Sequence, residues 1–387
     1  MNGPMVRRAF AALALVAAGG LAACDDTPTR GEDREPPPDP REVFRFETFG
    51  NETWWTDTLG MNQVIQAAVD PVTALGVGLK VDADVLPEGI LETVDLTDPA
   101  TTVELIRLGA VLGVRGEVDD EGNLTRMGVT CALCHSTVDD AVMPGIGSRL
   151  DGWPNLDLNP GLIVSLSPFF QDPAAQAVLT SWGPGMFDPR FNIDGISDPV
   201  VIPPAYGLDG VALETFTGDG PVSYWNAYVA ITQMHGHGDF EDPRIGVSVD
   251  WSEDRVTPLL APLLEYQLSL AAPRPPAGSF DPSAATRGRG VFETAGCADC
   301  HSGPLLTDAA QRLHPPAETC MDPVLAQRAA TGLYRTTPLR ALWQHAPYFH
   351  DGSAETLAQV VDHYESCLGL GITPEQRLDL IEYLKSL

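Results

Sequence analysis

Two pentapeptides, Cys131-Ala132-Leu133-Cys134-His135 and Cys297-Ala298-Asp299-Cys300-His301, constrain this chain more than anything else in it. Each sets two thiols three residues apart, with an imidazole directly after the second. That is the attachment spacing of a c-type haem. Thiols on one helical turn reach the two vinyl groups of one porphyrin, and the next residue lies beneath the ring, where it can bind the iron. With 7 cysteines and 8 histidines in 387 residues, chance supplies about 0.003 such pentapeptides. Two other arrangements use the same atoms: a zinc site shared between the units, or two redox disulfides. Zinc ribbons place their pairs ~15–20 residues apart, and a redox Cys-x-x-Cys needs no trailing histidine. The units therefore predict two covalently bound haem c groups. Cys131, Cys134, Cys297 and Cys300 are the expected thioether partners, and His135 and His301 the expected iron ligands.

The start of the chain reads as a processing signal. Arg7 and Arg8 precede an apolar stretch, Ala9 to Val16 with Leu21, that is too short to span a bilayer. It ends in Leu21-Ala22-Ala23-Cys24, which resembles the lipobox of bacterial lipoproteins. The resemblance implies removal of residues 1–23 and acylation of Cys24. Residues 24–41 are proline-rich and charged, a stiff linker. An exported protein follows, lipid-anchored to a bacterial membrane on its periplasmic or cell-surface side and touching that membrane through the lipid alone. The chain carries 53 acidic against 23 basic residues, a net charge of -30. Its only lysines are Lys80 and Lys385. Phosphate backbones need a basic footprint, so nucleic acid is excluded as a partner, and neutral or cationic partners suit this surface. Cys320 and Cys367 remain unassigned in the C-terminal part of an exported chain, which predicts a disulfide between them.

The expected fold class is mainly α: two cytochrome c-like haem domains with long ordered loops and an N-terminal extension. Residues 42–272 hold the extension and the first haem domain. Within them 102–112 reads as an apolar helix ending at Gly113, while 136–250 is dense in Gly, Pro, Asp and Asn and needs a buried cofactor to organise it. The run AAPRPPAG at 271–278 marks a boundary, and 281–387 is a compact C-terminal domain with the second haem. There Gly288 and Phe292 share one helical face. Leu357, Val360, Val361 and Tyr364 form a stripe at helical spacing, with His363 turned about 100° away. Thr373, Pro374 and Gln376 make a capping box ahead of Leu378, Ile381 and Leu384. Helix, motif, loop and terminal helix together resemble a cytochrome c domain.

Arg335-Thr-Thr-Pro-Leu-Arg340, followed by Ala346-Pro347-Tyr348-Phe349-His350-Asp351-Gly352-Ser353, resembles the C-terminal signature of the bacterial di-haem cytochrome c peroxidase superfamily, which includes MauG. The likeness extends over roughly 285–365, weakens around the first motif and is absent before about 125. It implies that Tyr364, fourteen residues after His350, ligates the second haem where peroxidases carry methionine. His350 is the rival ligand or a hydrogen-bonding residue at the haem edge, and Arg340 contacts the cofactor. At the first haem the position sixteen residues after His135, a capping histidine in many peroxidases, is Asp151. That implies an open iron, with Met143, Met186, Met234, His235 and His237 as the remaining candidate caps. Trp225, in Tyr224-Trp225-Asn226, takes the place of the relay tryptophan. The position of the peroxide-cleaving glutamate holds Ile245, so Glu241, Asp242 or His237 would move the proton instead. The family also implies Ca²⁺ between the haems, bound in part by the carbonyls of His345 and Pro347.

The function implied is that of a peroxidase/MauG-like oxidoreductase. Hydrogen peroxide or O₂ would act at the His135 centre, with electrons arriving through the His301 centre from an electron-donor cytochrome or small redox protein. Two alternatives stay open. One is a di-haem electron-transfer cytochrome without peroxidase activity. The other is a rubber-oxygenase-like dioxygenase, which Gly-Pro-Gly-Met-Phe-Asp-Pro at 183–189 faintly resembles.

Overall fold

Proline starts helices in this chain more than it breaks them. Pro40, Pro71, Pro99, Pro173 and Pro282 each open a helix directly after an aspartate whose carboxylate accepts a first-turn N–H. The missing proline N–H falls where no intrahelical partner exists, and the aspartate answers a donor that would otherwise be orphaned. The computed structural model describes residues 38–191 and 194–387. The signal segment 1–23, Cys24 and most of the 24–41 linker lie outside the described residues. No helix among the described residues is long and apolar enough to cross a membrane.

Pro38–Leu387 form one compact unit with two main apolar cores. The larger draws on residues from Val43 to Leu263. Helix Pro40–Phe46 lays Val43 and Phe44 against helix Thr257–Ser269, where the Phe44 and Tyr266 rings are 5.4 Å apart. The smaller core is built by helices Pro282–Thr294, Leu357–Leu368 and Pro374–Lys385. The first and last of these cross at Gly288, where a Cβ would overlap the backbone carbonyl of Asp379. Phe292 and Tyr383 then stack edge to face at 5.3 Å. Residues 270–276, between the two groups of helices, carry neither helix nor strand.

Three expectations are corrected. Helix is not alone with loops: among the described residues ten short strands pair into five two-stranded ladders, so the content is mixed helix and strand. These ladders order the Gly- and Pro-rich loops whose composition hides them. The helix expected at 102–112 runs from Pro99 to Arg107, capped by Asp98. Gly109 at φ 71° ends it, and Leu112 leaves to donate its N–H to the Lys80 carbonyl. In the last helix, Ile381 and Leu384 are buried together with Leu380, whereas Leu378 is 61% exposed. The buried stripe starts one turn later than the spacing from Leu378 suggests. The capping box at Thr373 and Gln376 is present, and a second, Thr356 with Gln359, opens helix Leu357–Leu368.

Candidate functional site

Strand Leu124–Val129 delivers the first motif. The wholly buried Asn51 donates its amide to the Val129 carbonyl at 2.8 Å and accepts the Val129 N–H at 3.1 Å, so the strand end is pinned. Thr130 donates its N–H to the Gly113 carbonyl at 2.9 Å, and helix Ala132–His135 follows. Gly113, at φ 72°, approaches Leu133 so closely that a Cβ would overlap its backbone. A carbonyl only accepts, so the 3.0 Å contact between His135 Nδ1 and the Pro203 oxygen requires the proton on Nδ1. That leaves Nε2 as the free lone pair, the tautomer a metal-binding imidazole needs. Burial holds the His135 pKa down to about 4 and pushes the thiols of Cys131 and Cys134 up to about 12.

The second motif opens on a cavity of about 580 Å³, within the size range of cofactor sites. Cys297, Cys300 and His301 form one wall. His301 repeats the arrangement of His135, with Nδ1 3.1 Å from the Leu306 carbonyl. Tyr364, His350 and Arg340 line the same cavity, as do Leu357, Val360 and Val361 from the stripe that carries Tyr364. Burial, with the two nearby thiols, pushes the Tyr364 phenol up to about 12, and its hydroxyl makes no hydrogen bond among the described residues. The His350 ring is buried, with Nε2 3.3 Å from the hydroxyl of Tyr334, which itself donates to the Asp322 carbonyl at 2.5 Å.

All four motif cysteines are free thiols rather than disulfide-bonded. Nor do the two units share a zinc site. Among the described residues the one group of three metal-binding side chains is Cys300, Asp308 and His314, whose ligand atoms lie within 4.8 Å of one another. A thioether at Cys300 would remove the thiolate from that group and leave His314 in the cavity wall, 3.0 Å from Asp308 behind it. Free thiols, an imidazole fixed in the ligating tautomer and an unpartnered phenol around one cavity fit a covalently bound haem.

The other candidates are placed as follows. The Asp151 side chain is 4% exposed and accepts from Arg45 and Arg149 at 2.6 Å each, from Ser136 at 2.7 Å and from Tyr266 at 2.6 Å. Burial opposes its charge, but Arg149, Tyr266 and Ser136 outweigh that and hold its pKa below the usual value. Its oxygens are therefore occupied by these partners. Trp225 donates its indole N–H to the Glu214 carbonyl at 3.1 Å, one hydrogen bond from the cavity wall that Glu214 helps form. Glu241 is exposed on strand Phe240–Asp242. Asp242 is tied to Arg244 and Tyr224 at 2.7 Å each, and Arg244 chiefly holds its pKa near 2. His237 stacks on Trp251 at 4.2 Å and meets Thr53 Oγ1 at 3.0 Å. None of these three acid–base candidates lines the cavity. Of the candidate caps, His235 stacks on Trp54 at 3.9 Å, Met234 is buried in the larger core, Met186 sits on a short strand and Met143 is 40% exposed. Cys320 and Cys367 are joined by a disulfide.

The ion pair of Glu214 and Arg335, 2.9 Å apart in the cavity wall, escapes a reading of the sequence. Arg335 stands in the Arg335–Arg340 motif, but no local pattern signals Glu214 or the pairing, which spans 121 residues. The loop at Pro203 escapes for the same reason.

Residues 285–387 match the family model of cytochrome c. This part of the chain is a cytochrome c domain, and covalently bound haem c is the cofactor that such a domain implies. No curated protein matches the chain. Among solved structures it is similar to Kuenenia stuttgartiensis hydrazine synthase pressurized with xenon: 19% identity, covering 49% of this chain and 73% of that one, TM-score 0.35. It is also similar to a MauG-like protein associated with microbial copper homeostasis, with 22% identity, 34% and 56% coverage and a TM-score of 0.27.

Proposed function

We propose that the protein is an exported, lipid-anchored di-haem c-type oxidoreductase. It would take peroxide or another oxidant at the His135 centre and receive electrons through the His301 centre. The observation that supports this is an asymmetry between two otherwise matching motifs. Both histidines keep Nε2 free by donating Nδ1–H to a backbone carbonyl. The His301 cavity also holds Tyr364 and His350, whereas Asp151, which stands where peroxidases have a cap for the first iron, is wholly engaged by its own partners. Covalently bound haem supplies one-electron chemistry and, where an axial position is free, a place for an oxidant.

Cys131 and Cys134 would hold one group and Cys297 and Cys300 the other. Tyr364 would give its phenolate to the second, with Arg340 beside it. Trp225, fixed through Glu214, would relay between them. The His345 and Pro347 carbonyls would bind Ca²⁺. The acidic surface favours a cationic or neutral small redox protein as donor, and acylation at Cys24 would keep the protein at the membrane.

A second reading, electron transfer without peroxide cleavage, draws on the placement of the acid–base candidates. Glu241 is exposed, and His237 is engaged by Trp251 and Thr53. The experiment is to mature the chain in a host that attaches c-type haem, weigh it, and record ferric spectra before and after peroxide. The expected result is a mass gain of roughly 1.2 kDa for two groups, a high-spin component, and a spectral change with peroxide. Two haems with no high-spin component and no response would favour the electron-transfer reading. Oxygen consumption without peroxide would favour the dioxygenase.

A further inference from the structure

The cavity at the second motif is walled largely by apolar side chains, and its polar lining includes Glu214, Thr215, Arg335, Thr336 and Arg340. Glu214 and Arg335 are joined at 2.9 Å, and their side chains are 11% and 6% exposed. Their satisfaction is incomplete. Glu214 Oε1, Arg335 Nε and Thr215 Oγ1 are all buried without a hydrogen-bond partner. Native proteins pair nearly all such atoms, so three orphans at one cavity wall mark where a polar ligand belongs.

The charges say which ligand. Two guanidiniums, Arg335 and Arg340, face one carboxylate, and the Arg340 guanidinium has no hydrogen bond among the described residues. Fixed cationic forks suit carboxylates. A haem carries two propionates on one edge, and bringing both here would set three carboxylates against two guanidiniums. A buried site does not keep an uncompensated negative charge when a proton is available. Glu214 is the member best placed to hold it, with one oxygen on Arg335 and the other unpartnered. The charged groups facing Glu214 are Arg335 and Arg340, the latter also facing Asp209, and the Thr215 N–H supports the ionised form. Burial outweighs these and raises the Glu214 pKa.

We propose that Glu214 and a propionate of the C-terminal haem share one proton between Arg335 and Arg340, so that electron uptake at that haem is accompanied by proton uptake. This rests on the reading of covalent haem in the C-terminal cavity. In the step, one electron enters the cofactor from an external one-electron donor and one proton enters the Glu214–propionate pair from solvent. No bond between heavy atoms forms or breaks. The same residue accepts the Trp225 indole N–H, so the proton-carrying group and the candidate relay are held by one side chain and its own backbone.

The test is a spectroelectrochemical titration of the intact holoprotein from pH 5.5 to 8.5, following the wave that Tyr364→Phe displaces. The reduced state holds the proton more tightly, so the potential falls as pH rises, approaching tenfold in the equilibrium constant per pH unit, ~59 mV for a one-electron couple. Glu214→Gln removes that slope and Glu214→Asp keeps it. Where Glu214→Gln fails to take up haem, the wild type and Glu214→Asp decide. A flat wild-type profile with both haems attached, or an unchanged slope in Glu214→Gln, overturns the inference and leaves the haem reading intact. Absence of covalent haem overturns both.

Discussion

Two glycines in helix Pro282–Thr294, two residues apart, should respond to the same substitution with opposite signs. Gly290 is exposed and a Cβ there meets nothing within 4 Å, so Gly290→Ala gains helix propensity alone, about 0.5–1 kcal/mol. Gly288→Ala gains the same propensity, but its Cβ would overlap the carbonyl of Asp379 in helix Pro374–Lys385. A backbone carbonyl cannot swing aside as a side chain can, so the two helices must separate, and Phe292 loses its seat on Tyr383. Overpacking of this kind costs ~1–3 kcal/mol or more. The gap between the two variants is therefore the overpacking cost itself, ~1–3 kcal/mol, and Gly288→Ala is a net destabilisation of up to about 2 kcal/mol. Urea midpoints measured at constant m-value check this, with each variant at matched haem content. If Gly288→Ala proves as stable as Gly290→Ala, the tight crossing does not exist as described, and the placement of the second motif that depends on it is wrong.

Tyr364→Phe should change the visible spectrum of one haem and leave the other as it was; an unchanged spectrum removes Tyr364 from the ligands. Cys320→Ser with Cys367→Ser, or reduction of the wild type, should cost about 3–4 kcal/mol, the value for closing a loop of this length, read as a shift in the denaturant midpoint. Asp151 has its pKa depressed in the folded state, so its contribution is present above the unfolded value of about 3.9 and is lost as pH falls through the folded one. Asp151→Asn should therefore lower stability at neutral pH and flatten the decline in acid. A variant that declines as steeply as wild type below pH 4 would show that Asp151 is not the group responsible.

What the sequence reveals about this protein is whatever a few consecutive residues can state alone. The Thr373–Gln376 capping box and the stripe from Leu357 to Tyr364 are, like the two pentapeptides, local patterns, and the structure contains the box and the stripe as read. Gly288 and Phe292 were visible as one helical face, and both are buried. The errors come where a distant segment decides. Leu378 has the right spacing but turns outward, because the crossing at Gly288 fixes which face of the last helix is covered. The partners of Asp151 are equally hidden, because Arg45 and Tyr266 arrive from 106 and 115 residues away. The five two-stranded ladders form among loop-like residues whose composition carries no period of two. Arg328 shows the same limit: buried, it joins Asp188 at 2.9 Å and Asp194 at 2.7 Å, a knot between segments that no short-range pattern connects.

The stretch from Val201 to Pro204 serves two masters. Its Pro203 oxygen orients the imidazole of the first motif, its Val201 N–H is bonded to the His350 carbonyl at 2.7 Å, and its side chains wall the chamber of the second. One strip of four residues thus fixes the tautomer of the first motif's imidazole and closes one side of the chamber beside the second, so a substitution there reaches both motifs at once.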